Sequence, residues 1–116
     1  MKLDHLQLAI PAGSETKCRE FWIGLLEFAE LTKPPALAAR GGAWFKKDNT
    51  EIHLGVESEF NPAKKAHPAF LVDQLDDLAK RLENAGYPIR WDDDIAGRRR
   101  FFTQDPVGNR IEFIGA

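Results

Sequence analysis

The chain of 116 residues spells one order of elements twice, and no other feature restricts its fold as strongly. In "DHLQLAI" the apolar Leu6, Leu8 and Ile10 alternate with His5 and Gln7, the period of a strand with one covered face. "PAGS" interrupts that strand, and Ser14 is suited to cap a helix. Cys18, Phe21, Trp22, Leu25 and Leu26 then recur at the spacing of an apolar helical stripe. A strand around 28–32, the loop "KPPALAARGG", and the strands "AWFKK" and "TEIHLGV" joined by "KDNT" complete a β-α-β-β-β series. After the polar, proline-bearing "ESEFNPAKKA" the series restarts with the strand "HPAFLV" and the helix "DQLDDLAKRLENAG". The stripe of that helix is Leu75, Leu78, Ala79, Leu82 and Ala85, and Gly86 suits its C-terminal cap. Strands in "YPIRW", "RRRFFTQ" and "NRIEFIG" follow, the last two joined by the turn "DPVGN".

This pattern divides the chain into a module at 1–56, a linker at 57–66 and a module at 67–116. Neither module is large enough to bury its sheet alone, so the predicted fold is α+β. Two βαβββ modules share one curved mixed sheet, with helices on its convex side and a cup opposite. The hydrophobic fraction of 43% and charged fraction of 29% are those of a globular chain, and no apolar run approaches the roughly 20 residues that span a bilayer. "MKLDHLQLAI" lacks the features of a secretory signal, and the single Cys18 excludes an internal disulfide, so a cytoplasmic location is expected. A net charge of -2 speaks against nucleic acid, although the basic "GRRRFF" asks for an explanation.

Strand parity also places the three histidines. His5 and His67 fall on the first strand of each module, and His53 and Glu112 on the last. In every case the apolar neighbours belong to the opposite, helix-covered face. A lone histidine in a strand is ordinarily solvated or hydrogen-bonded. Four ligand-type residues at equivalent positions, including every histidine of the chain, instead predict that the cup holds a metal ion.

Over nearly its whole length the sequence resembles the vicinal oxygen chelate superfamily, which includes glyoxalase I, extradiol dioxygenases, fosfomycin-resistance transferases and bleomycin-resistance proteins. The matching stretches are "LDHLQLAI", "FWIGLLEF", "TEIHLGV", "KAHPAFLV" and "DPVGNRIEF", of which the last is the most specific. The resemblance implies paired βαβββ modules around one divalent ion, such as zinc, nickel, manganese or iron. It puts the ligands at His5, His53, His67 and Glu112, and implies a homodimer. Two positions depart from the pattern: Glu27 stands where the helix exit normally has glycine, and His53 where glyoxalase I is expected to carry a carboxylate.

The resemblance implies a Lewis-acid ion and a metal-dependent enzyme of glyoxalase type, a lyase or isomerase acting on a small oxygenated molecule. Glu112 is then the only carboxylate among the ligands able to act as base. Extradiol cleavage is disfavoured, because the three histidines are committed to the metal and Tyr87 is the only tyrosine. No residue specifically supports a thiol transferase. The alternative of a different kind is a non-catalytic binder of a small molecule or antibiotic. Candidate substrate contacts are Arg40 in "LAARGG", Arg100 in "GRRRFF", and Trp44, one of the alternating pair Trp44 and Phe45 of which one side chain faces the cup.

Overall fold

The computed structural model describes all residues, 1–116, as two compact units, Met1–Pro62 and Ala63–Ala116. The first contains β1 (Leu6–Ile10), α1 (Glu15–Arg19), β2 (Ala29–Leu31), α2 (Pro35–Ala38), β3 (Ala43–Lys47) and β4 (Thr50–Val56). The second contains β5 (Ala69–Val72), α3 (Leu75–Asn84), β6 (Arg90–Asp92), β7 (Arg100–Gln104) and β8 (Arg110–Gly115). The strand orders are β1-β4-β3-β2 and β5-β8-β7-β6. In both units the first strand pairs parallel with the last, and the remaining pairs are antiparallel. The α+β architecture and the repeat are therefore as predicted. The single mixed sheet expected from sequence is instead two four-stranded sheets, one per unit. Between β4 and β5 the chain carries Pro62 and Pro68 and forms no strand, and proline cannot supply a ladder N–H.

The core of the first unit comes from the alternate residues of its strands and the inner side of its helix. Ile10, Phe21, Trp22 and Phe45 are fully buried, and the Trp22 indole meets Phe28 edge-on at 5.3 Å and stacks on Phe45 at 6.4 Å. Beyond Arg19 the helix does not keep its α geometry: Glu20–Leu25 form a wider π-helical turn, in which the Leu26 amide donates to the Phe21 carbonyl at 3.0 Å. That extra residue per turn leaves Leu25, which α spacing would bury, only half-buried, while Phe21, Trp22 and Leu26 stay inside. Ser14 is buried but does not cap with its side chain. Its hydroxyl donates back to the Pro11 carbonyl at 2.7 Å.

In the second unit Leu75, Leu78, Ala79 and Leu82 of α3 are buried, as are Phe101, Ile111 and Phe113 of the sheet; Ala85, the fifth residue of the predicted stripe, is exposed. The turn before β8 is built on Asp105, whose Oδ1 accepts the amides of Val107 at 3.0 Å and Asn109 at 2.8 Å. Its Oδ2 accepts the Asn109 side chain at 3.1 Å. Burial nevertheless pushes the Asp105 carboxyl above the usual carboxylate range. Asn109 in turn accepts the Ala63 amide at 2.9 Å, and the Arg110 amide donates to the Ala63 carbonyl at 2.8 Å. The register of β8, and with it the facing of Glu112, is thereby pinned within this unit.

Candidate metal and substrate site

The register of the two parallel pairs shows how closely the repeat is kept. His53 pairs with Gln7 and Glu112 pairs with Ala69, so His5 and His67 each lie two residues before the partner of the other candidate ligand. Along the adjacent strands His53 pairs with Trp44 and Glu112 with Phe102. Each unit therefore brings two of the four candidate ligands side by side, next to one aromatic ring.

In the first unit His53 is buried, its ring stacked between Trp44 at 4.1 Å and His5 at 4.0 Å. Trp44 thus turns toward the histidines while Phe45 fills the core, which settles the alternation left open by the sequence. His53 Nε2 donates to Glu51 Oε2 at 2.7 Å, and His5 Nδ1 donates to Asp4 Oδ2 at 2.8 Å. The hydrogen bond from His5 holds the Asp4 carboxyl below its ordinary range. In the second unit His67 Nδ1 donates to the Lys65 carbonyl at 2.8 Å, and His67 Nε2 lies 3.0 Å from Glu112 Oε1. Glu112 is buried, and its Oε2 accepts Arg100 Nη1 at 3.0 Å, while Arg100 Nη2 donates to Asp92 Oδ1 at 2.8 Å. These two acids, Glu112 first, hold Arg100 more firmly charged than usual.

The chemistry of this set can be compared with what a divalent ion requires. Ligating imidazoles characteristically donate their other ring N–H to a carboxylate or a backbone carbonyl, which fixes the tautomer and leaves one lone pair for the metal. Each histidine here has such an acceptor, Asp4 for His5, Glu51 for His53 and the Lys65 carbonyl for His67. The carbonyl can only accept, so one proton of His67 is on Nδ1 and its Nε2 edge faces a carboxylate oxygen at 3.0 Å. A second proton or a cation must satisfy that edge. Two ligand atoms about 2.1 Å from one ion and at right angles lie about 3 Å apart, the spacing of this pair. The donor types and their second partners thus fit a divalent ion. Within either unit, no three His, Cys, Asp or Glu side chains are gathered to hold a metal. The His5 and His53 planes, only 15° apart, also share no in-plane point near both rings, so ion binding requires one ring to turn.

Of the other predicted contacts, Arg100 stands directly on Glu112, Trp44 on His53, and Arg40 is exposed beyond α2. Sequence reasoning missed Glu51 and Asp92 and the pair Arg90 and Arg110. Arg90 and Arg110 hold their guanidinium carbons 5.5 and 4.1 Å from the centre of the Phe102 ring. Parity could have found Arg110, which shares the face of Glu112 in "NRIEF".

The model of the glyoxalase/bleomycin resistance protein/dioxygenase superfamily matches residues 2–113, nearly the whole chain. The chain belongs to this superfamily. Among solved members, a protein from Bacillus anthracis placed in the glyoxalase family is 44% identical, with 99% of this chain and 94% of that one covered and a TM-score of 0.94. The fosfomycin resistance protein FosX from Listeria monocytogenes is 15% identical, over 100% of this chain and 93% of that one, with a TM-score of 0.79. The antibiotic binding protein TnmS3 from Streptomyces is 20% identical, over 99% and 98%, with a TM-score of 0.72. These last two show the shared fold. No curated protein matches the chain.

Proposed function

We propose that this superfamily member is a metal-dependent enzyme of the glyoxalase kind, a lyase or isomerase for a small oxygenated molecule. One divalent ion is its cofactor, with His5, His53, His67 and Glu112 as ligands. The observation that carries the reading is His67 Nε2 set 3.0 Å from Glu112 Oε1 while its Nδ1 is tied to a carbonyl. When bound, the ion supplies a Lewis acid that takes up charge developing on a substrate oxygen. The rest falls to the chain. Glu112 accepts the substrate proton at a carboxylate oxygen, the role for which it is the only carboxylate among the four. Arg100 and His67 aim that carboxylate, and Asp92 holds Arg100 in turn. Burial of Glu112 keeps competing water from the proton acceptor.

Replacing Glu112 tests the assignment. Glu112→Gln keeps shape and one oxygen but removes the base, so turnover of the substrate should fall by a factor on the order of 10² to 10⁴ while part of the metal is retained. Activity within a few-fold of wild type, with metal bound, would remove Glu112 from the proton transfer.

One feature favours a second reading, a non-catalytic binder. Trp44, buried His53 and exposed His5 form a face-to-face stack, which a flat ligand can extend at its His5 end. Metal-free protein that binds a planar aromatic compound, with no metal-dependent turnover, would decide for it.

A further inference from the structure

We propose that the sheet face of the second unit around Phe102 is an anion subsite, in which Arg90 and Arg110 take a carboxylate or phosphate group of the substrate. The inference rests on the small-molecule reading above and adds the chemical class of the substrate: a small oxygenated anion. Three guanidinium groups crowd one buried ring, with Arg90, Arg100 and Arg110 at 5.5, 5.2 and 4.1 Å from the Phe102 centroid. The register explains the crowding, because Arg90 and Glu112 both pair with Phe102, and Arg110 lies two residues from Glu112 on the same face.

The acids of this face are not shared among the three. Arg100 takes both Asp92 and Glu112, so Arg90 and Arg110 are left without an ion-pair partner. Two positive charges held close together without a counter-charge repel one another, and an anion relieves that repulsion. Contact with the ring restrains both side chains, so less freedom is lost when they form paired hydrogen bonds to an oxyanion. Lys64, Gln104 and Gly108 line the same cavity of about 470 Å³ as Arg90, Phe102 and Arg110, room for a group of substrate size. Glu112, the proposed base, is on the neighbouring strand of that face.

Calorimetric titration of the intact protein with pyruvate and with inorganic phosphate tests the subsite, using wild type, Arg90→Gln and Arg110→Gln, with metal content and melting temperature recorded for each. Wild type should bind at least one of the anions in the millimolar range or tighter, and each variant should bind it about tenfold or more weakly, with metal content and melting temperature unchanged. Preference for pyruvate or for phosphate then tells which group the subsite takes. Binding of neither anion by wild type, or equal binding by wild type and both variants, overturns the subsite. Neither of those results changes the metal content, which the function proposed above requires, so failure of the subsite is distinguishable from failure of that function.

Discussion

Glu27 holds a backbone conformation that its side chain disfavours. Its φ is 64°, the left-handed region in which a Cβ meets the following carbonyl and glycine is at ease. Its carboxylate stands 3.7 Å from Lys47 Nζ at an exposed site, where an ion pair adds little. Glu27→Gly should therefore raise stability by about 0.5–1 kcal/mol in urea unfolding, an unusual direction for a glycine substitution. A loss of stability would mean that the contacts of the Glu27 side chain outweigh the backbone strain. Sequence alone exposed the conflict at this residue, because the resemblance puts glycine there. Parity also set His53 and Glu112 on the last strands, β4 and β8, whereas His5 and His67, expected on the first strands, stand just before β1 and β5. What parity could not supply was the second partner of each group. Whether Glu51, Asp4 or a carbonyl meets an imidazole depends on side-chain rotamers and on the path of the segment before the strand, neither of which has a period in sequence.

At the scale of elements, strands with an alternating pattern were legible nearly to the residue: "AWFKK" and "TEIHLGV" are β3 and β4. The helix after β1 was legible as a helix but not as a π-helical turn, because Phe21, Trp22 and Leu26 fit either winding and packing of the rings decides between them. The short helix Pro35–Ala38 was hidden in a loop rich in proline and glycine, though Pro35 at its first position is a recognised start signal. That loop ends on a position that tolerates no side chain. At Gly42 the φ is 82°, and a Cβ would come 2.1 Å from the Leu54 carbonyl oxygen. Its amide also donates to Glu15 Oε2 at 2.9 Å, tying the start of β3 to α1 and holding the Glu15 carboxyl below its usual range. Gly42→Ala must push β3 off β4, the pair that sets Trp44 against His53. A stability loss of about 3 kcal/mol or more, or failure to fold, is expected from thermal melts. A loss under about 1 kcal/mol would show that β3 and β4 can part at little cost.

For the whole molecule, the doubled βαβββ order was the clearest message of the sequence, and it survives as two sheets of identical strand order. The break into two sheets was not legible, because alternation reports which side of a strand is covered and not which strand lies at an edge. Each sheet ends on unpaired edges, and Leu71 on β5 is 67% exposed. Edges and apolar side chains of this kind are commonly covered by a second copy, and we propose a homodimer. Light scattering at micromolar concentration should give twice the chain mass of 13.1 kDa; the monomer mass would exclude it. No helix is long and apolar enough to cross a membrane.

The central proposal, that His5, His53, His67 and Glu112 ligate one ion, is most directly tested by elemental analysis of tag-free protein, wild type and the variants His5→Ala, His53→Ala, His67→Ala and Glu112→Ala. Ligation predicts about one divalent ion per chain in wild type. It also predicts at least a tenfold weaker hold on the ion in every variant, with folding judged intact by circular dichroism. Wild type that stays metal-free after exposure to zinc, nickel, manganese and iron, or variants that keep the ion as tightly as wild type, would contradict it.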